Sequence, residues 1–104
     1  MQNQDFTNER HWQLLVSVLK NIANQKGKTN SEIAEITGYH RSTIGRIFDL
    51  EFCPKLQIFI DIARAVGVNF YFEDQNEAGT TDLNKAFEQA MTDLGRRPDR
   101  LPKN

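Results

Sequence analysis

Apolar side chains recur three and four residues apart in several stretches of the chain, separated by polar or glycine-containing breaks. Trp12, Leu15, Val16, Leu19, Ile22 and Ala23 predict an amphipathic helix over Asn8 to Gln25, with Thr7 as its cap and Gly27 just beyond its end. Two shorter helices follow. Thr29-Asn30-Ser31-Glu32 has the residues of a capping box, in which the threonine hydroxyl accepts from a backbone amide and the glutamate reaches back to the cap amide. The first of the pair carries Ile33 and Ala34, the alanine facing the place where the second helix crosses closely. Gly38 ends it, where the chain commonly needs a left-handed backbone that costs glycine little. Tyr39, Ile44 and Ile47 supply the buried side of the second helix and leave Arg41, Ser42, Gly45 and Arg46 outward.

Beyond this pair, Asp49 to Cys53 reads as a loop in which Phe48, Leu50 and Phe52 tuck into the core. Pro54 opens a fourth helix, where a missing amide hydrogen does no harm; Leu56, Phe59, Ile60, Ile62, Ala63 and Val66 bury it, and Gly67 stops it. At Val68-Asn69-Phe70-Tyr71-Phe72-Glu73 the pattern changes to aromatic and β-branched residues, which prefer extended chain. A lone strand leaves its amides and carbonyls unpaired, so a second copy of the same segment is the simplest partner; a short extended segment satisfied by its own chain is the alternative. Glu73 to Thr81 is a polar, acidic connector, and Leu83, Ala86, Phe87, Ala90, Met91 and Leu94 form a further helical stripe ended by Gly95. The stripe predicts burial on its own domain, a dimer mate or another protein.

Composition bounds the rest. With 104 residues, 38% of them hydrophobic, the chain can build one core with a small appendage. No long apolar run is present, and the polar start at Met1 to Arg10 lacks the layout of a secretion signal, so a cytoplasmic protein without a membrane span is expected. The single cysteine, Cys53, agrees with a reducing compartment and reads as a small buried residue beside Pro54. His11, expected on the surface of the first helix, and His40 have no second ligand at metal spacing, and no catalytic spacing links the Ser, His and Cys residues. Neither a metal, a cofactor nor an enzymatic activity is expected. The formal charge of −1 is modestly acidic for a nucleic-acid binder, but its distribution is uneven: residues 1–70 carry a net +1, residues 71–95 a net −5 and residues 96–104 a net +3.

The run from Thr29 to Asp49 resembles the helix-turn-helix of the lambda-repressor/Cro-like, or Xre-type, transcriptional regulators. Ala34, Gly38, Ile44 and Ile47 stand at that family's separations, and the resemblance extends through Pro54, the helix Leu56 to Val66 and Gly67-Val68, covering roughly Glu9 to Val68. It implies a mainly α fold with a lambda-repressor-like DNA-binding domain over residues 8–68; the residue patterns beyond it add one short dimer-forming strand and an amphipathic helix over 69–95, then a basic irregular tail over 96–104. Phe48 and Leu50 stand where the family often has a polar residue and a glycine, and Gly45 weakens the reading helix.

The resemblance implies that Arg41, Ser42 and Arg46 touch base edges and that positions near Asn30 and Thr43 touch phosphates. Independently, an arginine makes a two-point contact with guanine, and amides at a helix start favour an anion, which adds Ser31 to the phosphate candidates. Lys26 and Lys28 follow the phosphate backbone if the first helix ends near DNA. His40, at the cap of the reading helix, either contacts a phosphate or completes the turn. Phe70, Tyr71 and Phe72, with Phe87 and Met91, are the dimerisation candidates, and Arg96, Arg97, Arg100 and Lys103 form either an arm on DNA or a solubilising tail. The function this supports is a homodimeric, repressor-like regulator on an inverted-repeat site of double-stranded DNA. Two alternatives remain open: a HigA-type antitoxin that also holds a toxin, and an interaction module that keeps the fold but not the DNA.

Overall fold

Thr7 starts the first helix as expected, its hydroxyl accepting from the Arg10 amide at 3.2 Å. The computed structural model describes residues 7–70, 72 and 80–95, with only the backbone of residues 80–82, and the chain divides after Val68 into two units. The first unit holds α1 (Asn8–Gln25), α2 (Asn30–Thr37), α3 (Arg41–Phe48) and α4 (Leu56–Val66). α2 packs on α3 and α4, and α1 packs on the same two helices. Ile33, Ile44 and Ile62, one from each of the three later helices, meet at the centre with Val16, Ile47 and Val66, all essentially out of water.

α1 presents Val16, Leu19 and Ala23 to this core, with Trp12 and Ile22 at its margin. Leu15, expected to be buried, is exposed together with Leu14 and Val18, because the apolar face of α1 is wider than the groove the other helices offer it. On α4 the expected Ile62, Ala63 and Val66 are buried, joined by Ala65, whereas Leu56 at the first turn is 68% exposed. Pro54 does not open α4 but sits buried one residue before its cap, Lys55. Cys53 is exposed rather than buried, its thiol 3.7 Å from the Pro54 carbonyl.

Three helices of this unit end in the same pair of crossed backbone bonds. After α1, Gly27 N donates to Asn24 O and Lys28 N to Ala23 O; after α4, Gly67 N donates to Arg64 O and Val68 N to Ala63 O. After α3, Leu50 N donates to Ile47 O and Glu51 N to Arg46 O, both at 2.9 Å. This closure requires a left-handed residue, supplied at φ 74° and 93° by Gly27 and Gly67 but at φ 65° by Leu50. A side chain in that region costs about 1–2 kcal/mol, offset here because Leu50 packs half-buried against the core.

Lys26 completes the unit from a distance. Its ammonium donates to the carbonyls of Val66 and Gly67, at 3.1 and 3.0 Å, placing a positive charge at the negative end of α4. In this structure Lys26 therefore caps a helix end, a role the sequence did not suggest.

In the second unit, residues 69, 70 and 72 form no regular structure, and no strand is formed among the described residues; Tyr71 and Glu73 lie outside them. α5 (Thr80–Asp93) begins two residues inside the expected connector, and Gly95 follows it at φ 74°. Phe70 and Phe72 are exposed, the latter at 91%, and so are Phe87 and Leu94, whereas Met91 is buried. The expectations placed on residues 73–79 and 96–104 fall outside the described residues.

Candidate nucleic-acid interface

The start of α2 is set by four consecutive residues. Thr29 Oγ accepts from the Glu32 amide at 3.1 Å while Glu32 Oε1 accepts from the Thr29 amide at 2.8 Å, the complete capping box. At the other end, Gly38 adopts φ 85° and its amide closes on Ala34 O at 2.8 Å, which turns the chain sharply towards α3. The turn is held from outside by Tyr39, whose hydroxyl donates to Asp61 Oδ2 on α4 at 2.6 Å. That hydrogen bond, with some desolvation and the nearby carboxylate charge, raises the phenol above its usual pKa.

α3 is seated by Ile44, Ile47 and Phe48, all buried, so Arg41, Ser42 and Arg46 are left exposed. Gly45, expected on the outward face, is instead half-buried towards α2: a β-carbon there would stand 3.6 Å from the Asn30 amide nitrogen. Arg41 Nη1 donates to Ser31 Oγ at 3.4 Å, joining the first turns of α2 and α3 into one polar edge. His40 is the N-cap of α3 by backbone conformation and gives it no side-chain cap bond.

The last turn of α3 is organised differently. The crossed bonds around Leu50 fold Glu51 back over Arg46, and Arg46 Nε stands 3.3 Å from Glu51 Oε1, with the two side chains 60% and 52% exposed. The Phe52 ring, expected in the core, lies outside it with its centroid 5.6 Å from the Arg46 guanidinium carbon. Arg46 is therefore gripped along one edge by a carboxylate and touched by an aromatic ring. A shallow cleft lined by Ile36, Thr37, Asp61, Arg64 and Ala65 involves none of these residues. The candidate interface is the exposed polar surface at the start of α2 and along α3, apart from this cleft.

A model of helix-turn-helix domains matches residues 19–72, more than half of the chain, and spans this arrangement from α1 to the segment after α4. The chain belongs to the Xre/lambda-repressor-like helix-turn-helix family. That membership makes it a DNA-binding regulator of transcription at the level the family shares. No curated protein and no solved structure matches it.

In this helix-turn-helix domain the phosphate candidates divide between two places. Asn30 and Ser31 lie in the first turn of α2, half-buried and exposed respectively, with the half-buried Lys28 just before them. His40 and Thr43 flank the start of α3, exposed and half-buried. Among the described residues no polar or charged side chain is buried, so each of these groups reaches solvent. No helix of the described residues is long and apolar enough to cross a membrane. Sequence reasoning missed Glu51, Phe52 and Asp61 as neighbours of the site. A signal for Glu51 exists only once Leu50 is known to be left-handed, since that geometry brings the residue after it over the helix's last turn.

Proposed function

We propose that the protein is a repressor-like transcription factor of the cytoplasm that binds a short inverted-repeat site in double-stranded DNA as a homodimer. The observation that carries this is the division of α3: Arg41, Ser42 and Arg46 exposed, Ile44, Ile47 and Phe48 in the core. A short helix presenting arginines and a hydroxyl on its free side fits a major groove, where arginine recognises guanine through N7 and O6. Arg41, Ser42 and Arg46 read base edges, while Lys28, Asn30, Ser31, His40 and Thr43 set the register through phosphates.

Residues 8–68 form the DNA-binding domain, residues 69–95 the dimerising extension, and residues 96–104 a basic tail. Two copies pair their Phe70-Tyr71-Phe72 segments as an antiparallel strand, with the exposed Phe87 adding apolar contact; Met91, expected to do the same, is already buried in the single chain. The exposure of Phe70, Phe72 and Phe87 in the single chain supports a second copy covering them. Selection of bound sites from random duplexes tests both parts of the reading. Two inverted half-sites with centres about 34 Å apart are expected, and enrichment of single half-sites only overturns the dimer. No enrichment over random sequence overturns specific recognition.

The same exposed apolar side chains after Val68 also favour a second reading, an antitoxin whose extension holds a toxic protein. Co-purification of the product of a neighbouring small basic reading frame, released by removing residues 69–95, distinguishes it from the first.

A further inference from the structure

Arg46 is held by two neighbours that the reading of α3 does not use. Its Nε–H faces Glu51 Oε1 at 3.3 Å, and the Phe52 ring lies 5.6 Å from its guanidinium carbon. Both neighbours are brought there by the left-handed Leu50, whose turn carries the chain back across the end of α3. The bond to Glu51 consumes the Nε donor and leaves the donors on both terminal nitrogens unspent, and two such donors make a paired contact with the N7 and O6 of guanine. A phosphate offers a different balance. To embrace it, the guanidinium must bring a dianionic crowd together, because Glu51 stands beside the same edge and repels the phosphate oxygens.

We infer that Glu51, with the Phe52 ring on the face of the guanidinium, is a positioning residue that commits Arg46 to a base edge rather than to the phosphate backbone, and so raises the specificity of the protein. The inference rests on the reading of Arg46 as a base contact. Glu51 acts in two ways. It holds a side chain whose free rotamers would otherwise be lost at binding, and its charge penalises contacts that any DNA sequence offers. The ion pair is solvent-exposed, so its contribution to folding is small and its removal leaves the domain intact.

The test uses full-length protein and the sites it selects from random duplexes. Affinities are measured for the selected site, for that site altered at each base pair, and for random duplex, with Glu51→Gln, Phe52→Ala, Arg46→Ala and the Glu51→Gln/Arg46→Ala pair. Glu51→Gln is expected to raise affinity for random duplex several-fold and to lower discrimination at one base pair by roughly three- to tenfold, within the range of a single two-point contact. Phe52→Ala lowers the same discrimination by a smaller factor. In the Arg46→Ala background Glu51→Gln is expected to leave discrimination unchanged. Equal loss of discrimination with and without Arg46 overturns the inference, because Glu51 then acts only as a general charge. Unchanged discrimination in Glu51→Gln, with loss in Arg46→Ala, overturns it while leaving Arg46 as a base reader. Full discrimination in Arg46→Ala overturns both.

Discussion

Replacing Leu50 by glycine and, separately, by alanine isolates the backbone contribution at the end of α3. Both changes remove the same half-buried apolar atoms beyond the β-carbon, a loss of about 1 kcal/mol for half of a leucine's burial that is nearly common to the two. Alanine keeps a β-carbon at φ 65° and glycine does not, and relief of that conformation is worth about 1–2 kcal/mol. Against this, the more flexible unfolded chain of the glycine variant costs about 0.5–1 kcal/mol relative to alanine. Leu50→Gly is therefore expected to be more stable than Leu50→Ala by about 0.5–1 kcal/mol, the reverse of the order at an ordinary helical position. Urea unfolding followed by far-ultraviolet circular dichroism reads the difference as a gap of about half a molar between midpoints at a common slope. An alanine variant equal to or more stable than the glycine variant refutes the reasoning. It would also remove the geometric ground for placing Glu51 over Arg46.

Gly45→Ala is expected to stabilise the domain by about 0.5–1 kcal/mol, since the new β-carbon meets only the Asn30 amide nitrogen, at ordinary contact distance; thermal unfolding that moves down instead shows a clash. Lys26→Met removes the charge at the end of α4 and is expected to cost about 0.3–1 kcal/mol, while leaving the salt dependence of DNA affinity as in the parent. A shallower salt slope would return Lys26 to the phosphate contacts. The bond to Asp61 raises the folded-state pKa of Tyr39, so the stability it contributes is present below the unfolded phenol value and is lost as pH climbs through the folded one. Tyr39→Phe should therefore be less stable than the parent at neutral pH and lose stability more gently as pH climbs, and identical alkaline slopes would remove the linkage.

The capping box was legible because both of its hydrogen bonds are made by residues three apart in the chain. The exposure of Arg41 and Arg46 was legible for a similar reason: Ile44 and Ile47 mark the buried side of so short a helix, and what lies across from them must face water. The limits came where the answer depends on a neighbour distant in sequence or on the width of a groove. Apolar columns run along α1 through Leu14, Leu15 and Val18 as well as through Val16, Leu19 and Ala23, and spacing alone does not say which column meets the other helices. Lys26 stands near a helix end in sequence, but the carbonyls it satisfies are 40 and 41 residues away. Leu50 defeats propensity outright, because intrinsic preference assigns its conformation to glycine while the core draws its side chain inward. Every feature that follows from that turn, including the company kept by Arg46, was hidden with it. The strand expected at Phe70 to Phe72 is a different case: the pattern of aromatic and β-branched residues speaks for extended chain but not for what would pair with it, and no strand is formed among the described residues.

The tether from Lys26 to the far end of α4 has a dynamic consequence. The loop that carries Lys26 runs within three residues into the cap of α2, while its ammonium grips the last carbonyls before the chain leaves the first unit. Fraying at the exit of the domain and loosening at the entrance of the helix-turn-helix are thereby merged into one opening event. Amide hydrogens at Thr29 and Val68, far apart along the chain, should exchange with solvent at a shared rate, and any pull arriving through the segment after Val68 is felt first where α2 begins.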